Sequence, residues 1–220
     1  MSADTTQETL NDPVLFERRQ CREGAMGIIT LNNTRKFNAL TLPMIRSIQK
    51  HLDAWAEDDG VHVIMLCGNG EKAFCAGGDV RSVYEAIQNA KGRPGNEAEQ
   101  FFAEEYRMDY TIATHPKPVV CWGQGVVMGG GLGMMNASRY RLVTPDLKMA
   151  MPEISIGFFP DVGASRFLNR LPGSIGMFMG LTGATLNVAD ALRVGLADYA
   201  VPNDGFEEMM GQLVDQAWTN

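Results

Sequence analysis

Residues 72–81, KAFCAGGDVR, carry the reading of the fold. An apolar start, a pair of glycines and an aspartate mark a passage from strand into helix. The apolar, partly β-branched run 61–67 precedes it as a buried strand, and Asp79 is placed to cap a helix that begins after it. A second passage of this kind, MGGGLG at 128–133, follows the strand-like run 118–122. Glycine costs a helix roughly 1 kcal/mol per residue relative to alanine, so three together at a helix start point to close approach by a ligand or another backbone segment. The amides of a first helical turn also lack intrahelical acceptors and lie at the positive end of the dipole.

One amide from each loop would make a two-donor cradle for an oxygen that gains negative charge, an oxyanion hole. For either loop alone, tight packing of a strand-to-helix turn explains the glycines equally well. Outward from the loops, strand-like and helical patterns alternate. The run 27–31 reads as a strand, and over 41–58 the residues Leu42, Ile45, Ile48, Leu52 and Trp55 recur at helical spacing, with Thr41 as N-cap and Pro43 near the start. KGRPGN at 91–96 has the chemistry of an exposed loop, and 97–114 reads as a helix carrying Phe101, Phe102 and Tyr106. Shorter helices are expected over 162–171, 174–181 and 188–194, then a strand into Val201. This alternation predicts an α/β fold but leaves a doubly wound sheet and a less regular spiral both open. At 220 residues with 45% hydrophobic content, one core and a single domain over 1–220 are expected, with the polar segment 1–12 disordered.

Composition excludes several functions. A net charge of −7 without a basic stripe argues against nucleic acid. Cys21, Cys67, Cys75 and Cys121 lack CxxC spacing, so no metal site and no disulfide framework is expected, and free thiols fit a reducing compartment. No apolar signal region and no membrane-length stretch is present, which predicts a cytoplasmic protein without membrane contact. Gly123, Gly125 and Gly129 approach a GxGxxG pattern, but Met128 stands where the third glycine belongs, and no GKS/T follows. GxSxG is missing and His51, His62 and His115 are scattered, so a Ser-His triad is excluded.

KAFCAGGDVR, MGGGLG and AMPEISIGFFPDVGAS at 150–165, in this order and spacing, resemble the crotonase (enoyl-CoA hydratase/isomerase) superfamily. Within it the chain is most similar to the 3-hydroxyisobutyryl-CoA hydrolases, through Glu104-Glu105-Tyr106 and through Met151-Pro152-Glu153 followed by Phe159-Pro160-Asp161. The likeness spans about 27–201. It implies a spiral of ββα units, a sheet core with surrounding helices, with the family's C-terminal helical region truncated. It also implies an oxyanion hole from the backbone N–H groups of Ala76 and Gly130, a catalytic pair Glu153 and Asp161, and substrate contacts from Glu105, Gly78 and Asp79.

The implied reaction is hydrolysis of a short-chain hydroxyacyl-CoA, 3-hydroxyisobutyryl-CoA of valine catabolism, to the free acid and CoA. No cofactor is implied, since CoA enters with the substrate; the partner is the acyl-CoA, and a homo-oligomer is compatible. A hydratase's first catalytic glutamate would fall at Gly133, which has no side chain for proton transfer. Hydratase/isomerase activity and a non-catalytic acyl-CoA binding module stand as alternatives. The residues themselves weigh unevenly. Glu153 lies among Met149, Ala150, Met151, Ile154 and Ile156, where a carboxylate is costly to bury without a purpose. Asp161 could instead cap the next helix, and Glu105 could sit on a solvated helix face. Met134, Met135, Met149 and Met151 are read as packing, and Ala164, where the subgroup more often has glycine, is expected to crowd the acyl group.

Overall fold

The computed structural model describes residues 11–218 apart from 92, 94 and 95. Most of the segment expected to be disordered, 1–10, lies outside the described residues, as do three positions of the 91–96 loop. The chain opens with a hairpin of β1 (Val14–Gln20) and β2 (Ala25–Leu31), then α1 (Leu42–Glu57), β3 (Val61–Gly68), β4 (Ala73–Cys75), α2 (Val80–Ala90) and α3 (Glu97–Thr114). It continues through β5 (Val119–Gly123), β6 (Val126–Met128), α4 (Gly130–Ala137), β7 (Tyr140–Val143) and β8 (Lys148–Ala150). The remainder holds α5 (Ala164–Phe167), α6 (Ile175–Thr182), α7 (Val188–Val194), β9 (Tyr199–Ala200) and α8 (Phe206–Asp215).

Two sheets organise these elements. The larger has the order β1-β2-β3-β5-β7-β9 and is parallel except for β1 against β2; the smaller, β4-β6-β8, is parallel throughout. Of the strands in the large sheet, β3, β5 and β7 are each followed by a short one of the second sheet (β4, β6 and β8) and then by a helix or helical turn. Repetition of that ββα step makes the spiral. The sequence expectation missed β4 and β6 because a three-residue strand is too short to show alternation.

The helices seal one face of the large sheet. Leu42, Met44, Ile45, Ile48, Leu52 and Trp55 of α1 are buried there, as the helical spacing predicts. Thr41 precedes that helix but makes no side-chain capping bond. The opposite face, with Met26, Met65 and Trp122, packs under Met209 and Met210 of α8. Met134, Met135, Met149 and Met151 are fully buried, in keeping with a packing role, and Ala164 belongs to the main core. All four cysteines are buried and free. Among the described residues no helix is long and apolar enough to cross a membrane.

The helix expected over 162–171 is shorter than its pattern. Val162 and Gly163 both have positive φ, so the helix can begin only at Ala164, and its last turn tightens into a 3₁₀ form at Leu168–Arg170. Asp161 therefore does not cap it; Gly163 occupies the N-cap position, which corrects the capping expectation.

Candidate active site

The two glycine loops meet. A Cβ built on Gly77 would lie 3.1 Å from the Met128 carbonyl oxygen and 3.4 Å from the Gly130 nitrogen, so a side chain there would wedge them apart. Gly129, at φ 49° and ψ −124°, turns the end of β6 into α4, a backbone conformation that favours glycine. The segment before α1 braces the first loop from outside: Leu40 N–H donates to the Gly77 carbonyl and Asp79 N–H to the Leu40 carbonyl, both at 2.8 Å. Asn38, buried and left-handed, donates through Nδ2 to the carbonyls of Asn69 and Ala73.

Asp79 caps α2 as expected, accepting from the Ser82 amide, and it pairs with Lys36 Nζ at 2.6 Å. Burial alone would raise its carboxyl, but Lys36 and Ser82 outweigh that and hold it below the usual range. Gly78 lets the Phe101 ring approach to 2.9 Å of where its Cβ would stand. The Ala76 amide does not point unengaged between the loops. It donates to the Phe37 carbonyl at 3.0 Å, which corrects the expectation of an open donor at that position. Gly130 lies in the first turn of α4, where amides have no intrahelical acceptor.

Carboxyl groups gather against α4. Glu153 opens the 3₁₀ turn Glu153–Ile156 behind β8 and is buried; a Cβ on Gly129 would stand 2.9 Å from its Oε1. Glu105 comes from α3 and is only 2% exposed, which overturns the solvated-face reading. Its Oε1 would be 2.3 Å from a Cβ on Gly130. One turn farther along α3, Asp109 is buried with Oδ2 3.1 Å from the Cβ position of Gly133. Asp161 accepts a hydrogen bond from the Tyr106 hydroxyl at 2.7 Å. Glu105 Oε1, Glu153 Oε2 and both Asp109 oxygens have no hydrogen-bond partner among the described residues.

Crowding acid groups away from water favours their neutral forms. Burial, with the Asp161 charge adding to it and the residue's own amide opposing it, raises the Glu153 carboxyl to about 7. Burial and then the charges of Asp161 and Glu153 raise Glu105 to about 8. Asp109 is pushed well above the aspartate range by burial, then by Glu105 and Asp161. Burial also raises Asp161, against the Tyr106 hydrogen bond. The arrangement thus offers one carboxyl, Glu153, poised to ionise near neutrality beside Glu105 and Asp109, which are shifted further up, at the rim of a helix N-terminus.

The structure gathers Glu105, Glu153 and Asp161 around Gly130 and the second loop, while Asp79 is committed to Lys36 and to its cap. Tyr106 and Asp109 were not singled out as site residues. Asp109 carried a legible signal, since it lies four residues after Glu105 and so on the same helix face. Among the described residues no group of His, Cys, Asp and Glu could hold a metal ion. A cavity of about 970 Å³ is lined by Arg19, Trp122, Lys148 and Phe206 among others, and by none of the four clustered carboxyls.

The family described as enoyl-CoA hydratase/isomerase matches residues 26–220. A Danio rerio protein named 3-hydroxyisobutyryl-CoA hydrolase, mitochondrial, is 45% identical over 92% of the chain and 51% of its own length. Small ribosomal subunit protein mS47 of Neurospora crassa is 40% identical over 85% of the chain and 37% of its own. A crystal structure of a carnitinyl-CoA dehydratase from Mycobacterium thermoresistibile superposes with a TM-score of 0.85 at 42% identity, covering 93% of this chain and 58% of that one. The chain spans about half the length of the Danio rerio relative.

Proposed function

The chain belongs to the enoyl-CoA hydratase/isomerase family, and from that premise we propose that it hydrolyses the thioester of a short-chain hydroxyacyl-CoA, with 3-hydroxyisobutyryl-CoA of valine catabolism as the substrate. The observation that carries this reading is the Glu153 carboxyl, raised to about 7 and set against Gly129 at the start of α4. In this reading the thioester oxygen sits at the first turn of α4, where the Gly130 amide stabilises the oxyanion. Such a donor is worth on the order of 3 kcal/mol of barrier. The Ala76 amide adds a second donor once it shares or releases the Phe37 carbonyl.

Glu153 then either takes the proton of an attacking water or attacks the carbonyl itself to form an anhydride. In the first route the C–S bond breaks as the water oxygen bonds to the acyl carbon; in the second it breaks as a Glu153 oxygen bonds there, and a water then cleaves the anhydride and frees Glu153. In both, one water is consumed, and it supplies the oxygen of the free acid and the proton of the CoA thiol. Asp161, oriented by Tyr106, holds the substrate hydroxyl; Glu105, Gly78 and Asp79 contact the acyl-CoA. A two-glutamate hydration is disfavoured because a side chain at Gly133 would collide with Val162, whose Cβ is 2.5 Å from the position.

The test mixes the chain with 3-hydroxyisobutyryl-CoA and a thiol reagent. Release of CoA that falls by at least about a hundredfold in Glu153→Gln supports the reading. The relative named as a small ribosomal subunit protein supports a second one, a module without turnover, which on this fold would be an acyl-CoA binder. Saturable binding with no CoA released by either protein would establish that instead.

A further inference from the structure

Asp161 heads a turn that its next residue makes costly. Val162 has φ 41° and Gly163 φ 82°, and the Ala164 amide donates to the Asp161 carbonyl at 2.6 Å, closing 161–164 with the signs of a type I′ turn. Glycine, asparagine or aspartate usually fills the two central positions of such a turn. Gly163 conforms and Val162 does not. A β-branched residue at positive φ is a backbone outlier, and such strain persists only where the surroundings hold it in place.

The Val162 side chain is 4% exposed and belongs to the main core. It fills the recess that Gly133 leaves in α4, where a Cβ would come to 2.5 Å from its Cβ and 2.9 Å from its Cγ2. On the other side of Asp161, Pro160 rests on α6, with its Cγ 3.4 Å from the Cβ position of Gly180. Asp161 therefore projects from between two docked neighbours, and its Oδ2 accepts from the Tyr106 hydroxyl of α3 at 2.7 Å. Glycine at 162 would make the same turn without strain, but it would empty the recess at Gly133 and leave the turn without its anchor.

We propose that Val162 is a positioning residue: its side chain, lodged at Gly133, holds the 161–164 turn in its strained form and so fixes the Asp161 carboxyl at Tyr106, where it meets the substrate hydroxyl. The inference rests on the role given to Asp161 above. Asp161 has bonds of its own on one side only, to Tyr106, and a single hydrogen bond from a half-exposed tyrosine does not fix a loop. The buried valine next to it supplies the second point of attachment.

Two thioesters that differ only in the hydroxyl, 3-hydroxyisobutyryl-CoA and isobutyryl-CoA, test this. In Val162→Gly, KM for the first should rise about tenfold against KM for the second, since only the first offers Asp161 a hydroxyl. Val162→Ala, which cuts the anchor back while keeping a Cβ, should move the ratio the same way. Val162→Thr keeps the shape but buries a hydroxyl, so it should melt at lower temperature and retain the parent ratio. A ratio that follows the melting temperature across the three variants, or that none of them moves, overturns the proposal. Crystal structures of the parent and Val162→Gly read the hold itself without substrate. The contact between Tyr106 and Asp161 should open beyond hydrogen-bond distance in the variant, and an intact contact overturns the proposal. If the chain releases no CoA, the hydrolase reading fails, and this contact still decides whether Val162 fixes the carboxyl.

Discussion

At Asp161 two influences compete: burial favours the neutral acid, and the Tyr106 hydroxyl, donating at 2.7 Å, favours the carboxylate. Tyr106→Phe removes only the second. The Asp161 carboxyl should then titrate at higher pH than in the parent protein, which carboxyl NMR would read directly. If Asp161 grips the substrate hydroxyl, KM for the hydroxyacyl-CoA should rise more than kcat falls; an unchanged titration would show that the bond carries no weight. Asn38 is a different kind of residue. It holds a left-handed backbone and two carbonyls of the β3–β4 region, so Asn38→Ala leaves both acceptors short of a donor. A loss of about 2–4 kcal/mol in denaturant unfolding is expected. The residue types at these positions were visible in the sequence, but their partners lie 31 to 55 positions away and could not be read from it.

Elements were legible in proportion to their length. The helix expected over 41–58 is Leu42–Glu57 and that over 97–114 is Glu97–Thr114, since several turns of apolar spacing leave little choice. Short elements escaped, β4 and β6 among them, because pairing with a neighbouring strand rather than local pattern makes them strands. The α4–α5 junction depends on one missing side chain. A Cβ at Gly133 would stand 2.5 Å from the Val162 Cβ, and Val162 already has a strained φ of 41°. Gly133→Ala should therefore cost about 1–3 kcal/mol in chemical denaturation, and Val162→Gly in the same chain should recover part of it. For the same reason Gly133→Glu should yield an unstable protein rather than a hydratase.

For the molecule as a whole, the buried carboxyls gathered against α4 set an unusual response to pH. In the folded state Glu153 and Glu105 lose their protons near 7 and 8, whereas in the unfolded chain they do so near the ordinary glutamate value. Between those limits the native state binds more protons than the unfolded one, so stability falls as pH rises from about 4.5 to 8. Asp58, Asp79, Glu104 and Asp198 are held below their usual range, and what they contribute is lost only under more acidic conditions. The melting temperature should thus be higher at pH 5.5 than at pH 8.5 by roughly 4 °C or more, and Glu105→Gln should flatten the difference. A protein equally stable at both would show that these acids ionise normally.

The sequence by itself determined the alternation of strands and helices, the two glycine loops and the apolar setting of Glu153. Each of these is written in neighbouring residues, through side-chain periodicity, the cost of glycine in a helix and the cost of burying a charge. Only the tertiary structure decided that the Ala76 amide is engaged by Phe37, that Glu105 faces inward and that Asp109 is buried beside Gly133. Those facts depend on how α3 lies against α4 and how segment 37–40 lies against the first loop. Both are outcomes of packing between elements far apart in the chain, to which no local pattern answers.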